Sequence, residues 1–263
     1  MTVTSGHPQP EIASPACDLP ATPTIGELWS RRSVRAYTDE PVSPQDERQI
    51  LLAACQAPTA GNQQLYSIVV ARDQRLKDEL AHTCDDQPFI AKAPLVLVFC
   101  ADVRRWWRAF RAAGADPRDP GVGDLMLAVT DATIAAQNAV VAAESLGIGS
   151  CYIGDVLERA EKHRELLSLP DHVVPCCMLV LGHPTDQQLA RPKPRRFDLS
   201  DVVFEDRYRD PSDDELRDAL ACKQGHATDG DEWVRAFCER KWNSDFSREM
   251  TRSVGVWLDG FAR

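Results

Sequence analysis

Residues 122–146 constrain this chain more than any other stretch. Leu125, Met126, Val129, Ile134, Ala135, Ala139, Val140 and Ala143 recur at spacings that leave a helix apolar around most of its circumference. Such a helix has no face for water and must be buried. At ~1.5 Å per residue it spans roughly 37 Å, the width of a domain. The rest of the chain must therefore pack around it, or a second subunit must. Asp124, Asp131, Gln137 and Asn138 interrupt the apolar surface and argue against a membrane. No unbroken run of about 18 apolar residues is present.

The flanking segments predict what packs there. Residues 95–101 and 173–182 are continuous, β-branched apolar runs, the pattern of strands buried on both faces. Residues 66–72 read as a third strand, and 147–155 as a turn, a short strand and a second turn. Residues 199–204 add another strand. Helices are expected over 25–31 with Thr24 as cap, and from Ser43 and Pro44 to Ala57, where Pro58 stops it. Others are expected over 75–83, 156–167, 213–223 and 232–261. Residues 102–121, with Trp106 and Trp107, read as an irregular lid or surface loop. The proline-rich residues 1–23 read as a loosely packed arm. His163 and His172 are expected at the surface, and Gln87 beside Pro88 reads as a local cap. This order predicts an α/β or α+β domain. A Rossmann fingerprint is absent, because Gly147 and Gly149 precede a strand instead of opening a helix. No G-x-S-x-G occurs, which excludes an α/β hydrolase.

Charge narrows the partners. The formal net charge of −10 makes nucleic acid an unsuitable one. The nine cysteines have no regular spacing, and several sit in apolar runs, where a free thiol behaves as a small buried hydrophobe. This usage predicts a reducing, cytoplasmic compartment with no metal site. The N-terminal residues lack a signal-peptide pattern.

Against that acidic background stand two basic clusters. Arg31-Arg32-Ser33-Val34-Arg35 places three guanidiniums within five residues, and Arg191 to Arg196 forms a second group stiffened by prolines. Arginines so close repel unless an anion lies between them. If the clusters converge, a phosphate accounts for both. The carboxamides of Asn62, Gln63 and Gln64 and the glycines 147 and 149 suit a planar heteroaromatic ring carrying that phosphate.

Four segments, RRSVRAYTDEPVS, APTAGNQQ, AAQNAVVAAESLGIGSCYIGD and LGHP with PKPRR, resemble in that order the FMN-dependent nitroreductase family, over about 25–208. The likeness is greatest to its oxygen-insensitive nitroreductase and NADPH–flavin oxidoreductase group. The resemblance implies an α+β fold with a mostly antiparallel sheet among helices, in an intertwined homodimer with FMN at the subunit interface. It divides the chain into an arm (1–23), an FMN-binding domain (24–210) and a helical extension (211–263). It assigns Arg31, Arg32, Ser33 and Arg35 to the ribityl phosphate and pyrimidine edge, with Arg35 or Arg31 as the positive charge near the ring. Thr59, Ala60, Gly61 and Asn62 match a loop near the ring, and Gln87 a glutamine that reaches it. Tyr152, Ile153, Gly154 and Asp155 match a loop facing the ring, and Lys193 and Arg195 a second phosphate clamp. Asp155 stands where the family usually has glycine. The activity implied is ping-pong transfer from NADPH or NADH to a nitroaromatic, quinone or flavin, with no obligatory protein acid or base. A flavin-sequestering protein, or a specialised biosynthetic reductase or dehydrogenase, is the alternative on the same scaffold. Lys223 and His226 are the only basic residues near the stretch that would select NADPH.

Overall fold

Four antiparallel strands in the order β1-β2-β4-β3 form the single sheet of the computed structural model, which describes residues 22–224 and 230–262. Residues 1–21 of the arm expected over 1–23, and His226, lie outside the described residues, while Thr22 and Pro23 already cap and open the first helix. The strands are β1 (Tyr66–Val70), β2 (Leu95–Asp102), β3 (Gly149–Ile153) and β4 (Val173–Gly182). Around them run α1 (Pro23–Ser30), α2 (Pro44–Cys55), α3 (Gln74–Thr83), α4 (Pro88–Lys92), α5 (Arg104–Ala112), α6 (Val122–Ser145) and α7 (Ala160–Leu166). After β4 come α8 (Asp186–Leu189), α9 (Leu199–Val202), α10 (Asp213–Gln224), α11 (Gly230–Phe237) and α12 (Asp245–Asp259).

The period of two along each strand assigns its side chains to two cores. Leu97, Phe99, Leu179 and Leu181 face α6, which meets them with Ala132, Ala135, Ala136, Ala139, Val140 and Ala143. Alanine at these positions lets the helix axis approach the sheet closely. On the other face Val96, Val98, Cys100, Met178 and Val180 pack with Leu80, Ile90, Ala160, Trp257 and Phe261. α6 has the length and apolarity that a membrane span would need, and here it serves as the core helix. Its other side leaves Met126 and Leu127 exposed.

Several expectations are corrected. Residues 104–112 form a helix, because Arg104, Arg108 and Arg111 share one face and Trp106 and Phe110 stack on another. Residues 199–204 do not form a strand. The Asp201 carboxylate accepts from the Asp198 N–H at 3.0 Å and closes a helical turn. Residues 156–167 break at Arg159, whose φ is +48°, into a 3₁₀ turn (Asp155–Leu157) and α7. The last helix is likewise divided. α11 runs into a π turn (Cys238–Trp242), and Ser244 then caps α12. Thr22, not Thr24, caps α1, and α2 ends at Cys55. His163 is fully buried, with Nε2 2.8 Å from Thr83 Oγ1 and Nδ1 2.6 Å from Glu158 O. His172 lies between the rings of Trp107 and Phe261.

Residues 33–37 run along the outer edge of the sheet. Ser33 bridges Ser150 of β3, the Val34 N–H donates to Ser150 O at 2.9 Å, and Tyr37 bridges Pro184. Val34 is buried against Gly149, where an added Cβ would stand 2.9 Å from Val34 Cβ. The first arginine cluster is thereby fixed to the sheet.

Candidate functional site

The two basic clusters meet beside the C-terminal end of α6. The Arg32 guanidinium donates to Leu189 O and, at 2.9 Å, to Arg191 O, while Lys193 Nζ donates to Trp29 O. Partial burial, and then the charges of Arg31, Arg196 and Arg32, push the Lys193 ammonium pKa below its usual value. The carboxylate facing these cations is Glu144 of α6. Burial raises its pKa, and Arg31, Arg32 and Lys193 oppose the rise. Arg31 Nη1 is buried and has no hydrogen-bond partner. A buried guanidinium donor left unpaired is costly unless an anion completes it. Arg195 is turned elsewhere: its Nη1 reaches Cys222 O on α10 at 3.4 Å.

Gln188 holds the cluster's backbone. Its amide oxygen accepts from the Arg35 N–H at 3.2 Å and its amide nitrogen donates to Ser33 O at 3.3 Å. The Arg35 guanidinium lies over the Phe89 ring of α4, 5.8 Å from its centroid. This brings it to the neighbourhood of Gln87. The Gln87 side chain does not cap α4. Its Nε2 donates to Cys84 O at 2.8 Å and to Asp155 Oδ1 at 3.0 Å. Burial raises the Asp155 pKa. Tyr152 joins this end of the site to α6 through Gln137, 3.3 Å from its hydroxyl.

The loop 59–62 makes its own set of contacts. Gly61 and Asn62 adopt left-handed φ values of +57° and +56°. The loop is tied to α6 by Asp131, which in the sequence shows only as a break in an apolar helix. One Asp131 oxygen accepts from the Ala60 N–H at 2.9 Å and the other from Leu65 N–H at 3.2 Å. Trp106 adds a bond to Gln63 O at 2.6 Å. The structure thus joins Arg31, Arg32 and Lys193 in one group, and Gln87 and Asp155 in another. Ser33 and Arg35 lie between them. Glu144, Gln188 and Asp131 contact the expected residues without having been expected to. Asp131 could have been found as a carboxylate on the buried face of an otherwise apolar helix; Gln188 carries no such signal.

Glu158, next to this turn, is a buried carboxyl whose pKa rises to about 7, first through burial and then through Asp155; Asp85 and Glu249 add to the rise and Arg159 opposes it. Its folded pKa lies above the unfolded one, so its contribution to stability falls as pH climbs from the ordinary glutamate range through 7. Glu158→Gln should therefore stabilise the protein at alkaline pH. Allowing for solvent screening, the expected gain is about 2 kcal/mol at pH 8.5, shrinking to about 0.5 kcal/mol at pH 5. Thermal melts of both proteins across that range measure it. Equal differences at the two ends would contradict the assignment.

Known proteins with this architecture share the sequence as well. The pattern of the nitroreductase family matches residues 28–183. The FMN reductase [NAD(P)H] of Bacillus subtilis is 32% identical over 241 residues, covering 89% of this chain and 90% of its own. The oxygen-insensitive NADPH nitroreductase of Salmonella typhimurium is 36% identical over 195 residues, 74% of this chain and 78% of its own. The solved structure of the Vibrio harveyi NADPH:FMN oxidoreductase, complexed with NAD+, superposes with a TM-score of 0.76 at 27% identity, over 89% of this chain and 97% of that one. With the sheet, the core helix and the sequence all in agreement, the chain belongs to the nitroreductase family.

Proposed function

We propose that this protein is an FMN-dependent NAD(P)H oxidoreductase, of the ping-pong type, acting on nitroaromatic, quinone or flavin acceptors. The observation that carries the reading is the buried, unpartnered Arg31 Nη1 within the group of Arg31, Arg32 and Lys193. A phosphate fits that donor set, and FMN, when bound, supplies the redox chemistry. Arg31, Arg32, Ser33 and Lys193 would hold the phosphate and ribityl chain. Arg35 provides positive charge toward Gln87. Tyr152, Ile153, Gly154 and Asp155 would border the ring, with Gln87 fixing the Asp155 carboxyl. Asp131 orients the Thr59–Asn62 loop. Arg195 would serve the extension rather than the phosphate.

Residues 24–210 form the FMN-binding unit in this reading, and 211–263 an extension whose last helix enters the core. The exposed Met126 and Leu127 of α6 support a homodimer. A small-molecule acceptor, a cytoplasmic location, and neither nucleic acid nor a membrane as partner complete the proposal. The relatives' names include both NADPH and NAD(P)H donors, so both are tested.

The test is a visible spectrum of the purified protein, followed by anaerobic titration with NADPH and with NADH. A flavin spectrum bleached by either nucleotide is expected. A flavin spectrum unchanged by both would favour a sequestering role. Protein that takes up no added FMN would overturn the phosphate assignment.

A further inference from the structure

The turn that follows β3 is closed locally by the Leu157 N–H to Gly154 O and the Glu158 N–H to Asp155 O, both at 3.0 Å, but its junction with α7 is not. Residues 157–160 connect a 3₁₀ turn to α7 through the left-handed Arg159, so the first N–H groups of α7 have no helical acceptors. α12 supplies them from nearly a hundred residues away. Glu249, Ser253 and Trp257 recur at intervals of four and so share one helix face. All three meet this turn. Glu249 Oε1 accepts from the Arg159 N–H at 3.2 Å. Ser253 Oγ accepts from the Ala160 N–H at 2.8 Å and donates to Leu157 O at 2.6 Å. Trp257 Nε1 donates to the same Leu157 oxygen at 3.2 Å. Ser253 is fully buried and Trp257 nearly so. Water therefore cannot replace the bonds of Ser253 and Trp257, whereas the Glu249 bond is exposed.

The other end of the turn carries Asp155, which receives the Gln87 amide at 3.0 Å. The chain of contacts thus runs from α12 through Leu157 and Ala160 to the Gln87–Asp155 pair. We infer that Ser253, seconded by Trp257, is a positioning residue: α12 sets the placement of the 152–157 turn against the flavin ring, and so governs how firmly FMN is held and what the ring senses. This inference rests on the FMN reading above.

The serine does what an alanine cannot. Without Oγ, the Ala160 N–H is left buried and unpaired and Leu157 O keeps one donor of two. Leaving such a group unsatisfied distorts or opens the local structure. A shift of the turn that exposes or re-pairs the Ala160 N–H takes Asp155 with it. Trp257→Phe is the milder change, since it removes the indole N–H and keeps an aromatic ring in the core.

The experiment uses the full-length protein loaded with FMN. Dissociation of FMN, the visible spectrum of the bound flavin, and amide hydrogen exchange over 153–160 are measured for the wild type, Ser253→Ala, Trp257→Phe and Arg248→Gln. Arg248 lies on the same helix in an exposed pair with Asp245 and serves as the control. Ser253→Ala should release FMN about tenfold faster, and Trp257→Phe about threefold faster, as expected for lost buried hydrogen bonds. Both should shift the flavin bands and speed exchange over 153–160, while Arg248→Gln changes none of these. Lower thermal stability with FMN release and flavin spectrum unchanged would reduce Ser253 to a packing role and overturn the inference. If Ser253→Ala does not fold, Trp257→Phe decides between the same two outcomes. Failure of the wild type to bind FMN would sink the underlying reading instead, and is seen before any variant is compared.

Discussion

Arg31→Gln combined with Lys193→Gln is expected to weaken FMN binding about 1,000-fold, with each single change costing about 10- to 100-fold, the range for charge-assisted hydrogen bonds. Arg31 is the more sensitive of the two. Its Nη1 is buried and lacks a partner, whereas Lys193 Nζ already donates to Trp29 O. Neither change should harm folding. Removing Arg31 takes away an unpaired buried donor, and removing Lys193 relieves repulsion among Arg31, Arg32 and Arg196. Each change also takes a compensating cation from the partly buried Glu144, so the variants should fold and melt close to, or modestly below, the wild-type apoprotein. Fluorescence titration with FMN at several salt concentrations is the measurement. A double variant that binds FMN like the wild type would show that the two clusters meet for a structural reason alone.

Gly149→Ala should be among the most damaging single-methyl additions at the described glycines. The added Cβ would overlap Val34 Cγ2 and lie 2.9 Å from Val34 Cβ, closer than real side chains approach, with Val34 Cγ1 tight at 3.2 Å. Val34 cannot yield easily. It is buried, and its N–H is bonded to Ser150 O at 2.9 Å. Overpacking of this kind costs about 3 kcal/mol. The displaced segment is the one that carries Arg31, Arg32, Ser33 and Arg35, so FMN affinity should fall at least about tenfold as well, to judge from one misplaced charged contact. A second substitution makes the cause visible. Val34→Ala removes Cγ1 and Cγ2 and leaves only the 2.9 Å approach to Cβ, so the double variant Gly149→Ala/Val34→Ala should lose less stability than the two single losses added together, a coupling expected only of residues in contact. Denaturant melts of the four proteins test this, and simple additivity would refute the clash. Gly182 is a second such position, with Tyr37 Cδ1 and Pro94 Cδ each 2.7 Å from its virtual Cβ.

The buried strands are legible in the sequence because burial on both faces leaves a continuous apolar run, as in 173–182, whose bounds the structure reproduces. The core helix is legible for the same reason. α2 is readable from Ser43, Pro44, Asp46 and Glu47, which are start signals acting within one turn. The helix over 104–112 is hidden because a pair of tryptophans among arginines suggests a loop, although its period is helical. Residues 199–202 mislead because an apolar run outweighs the acidic residues that begin a helical turn. At the site, the sequence offers two basic segments but not their meeting, which the structure shows for Arg31, Arg32 and Lys193, nor the turning of Arg195 to Cys222 O.

What the sequence by itself determined is whatever is written in short-range chemistry: the two-residue and 3.6-residue periods, the caps, and the crowding of cations within two segments. What only the tertiary structure decided is which distant groups share a desolvated space. Asp131 becomes the anchor of a loop, His163 a core residue, and Ser253 a partner of Leu157 only when residues dozens of positions apart are brought together. The physical reason is that a polar side chain's role is set by which unsatisfied donor or acceptor it meets after water has been excluded. No local pattern records that meeting.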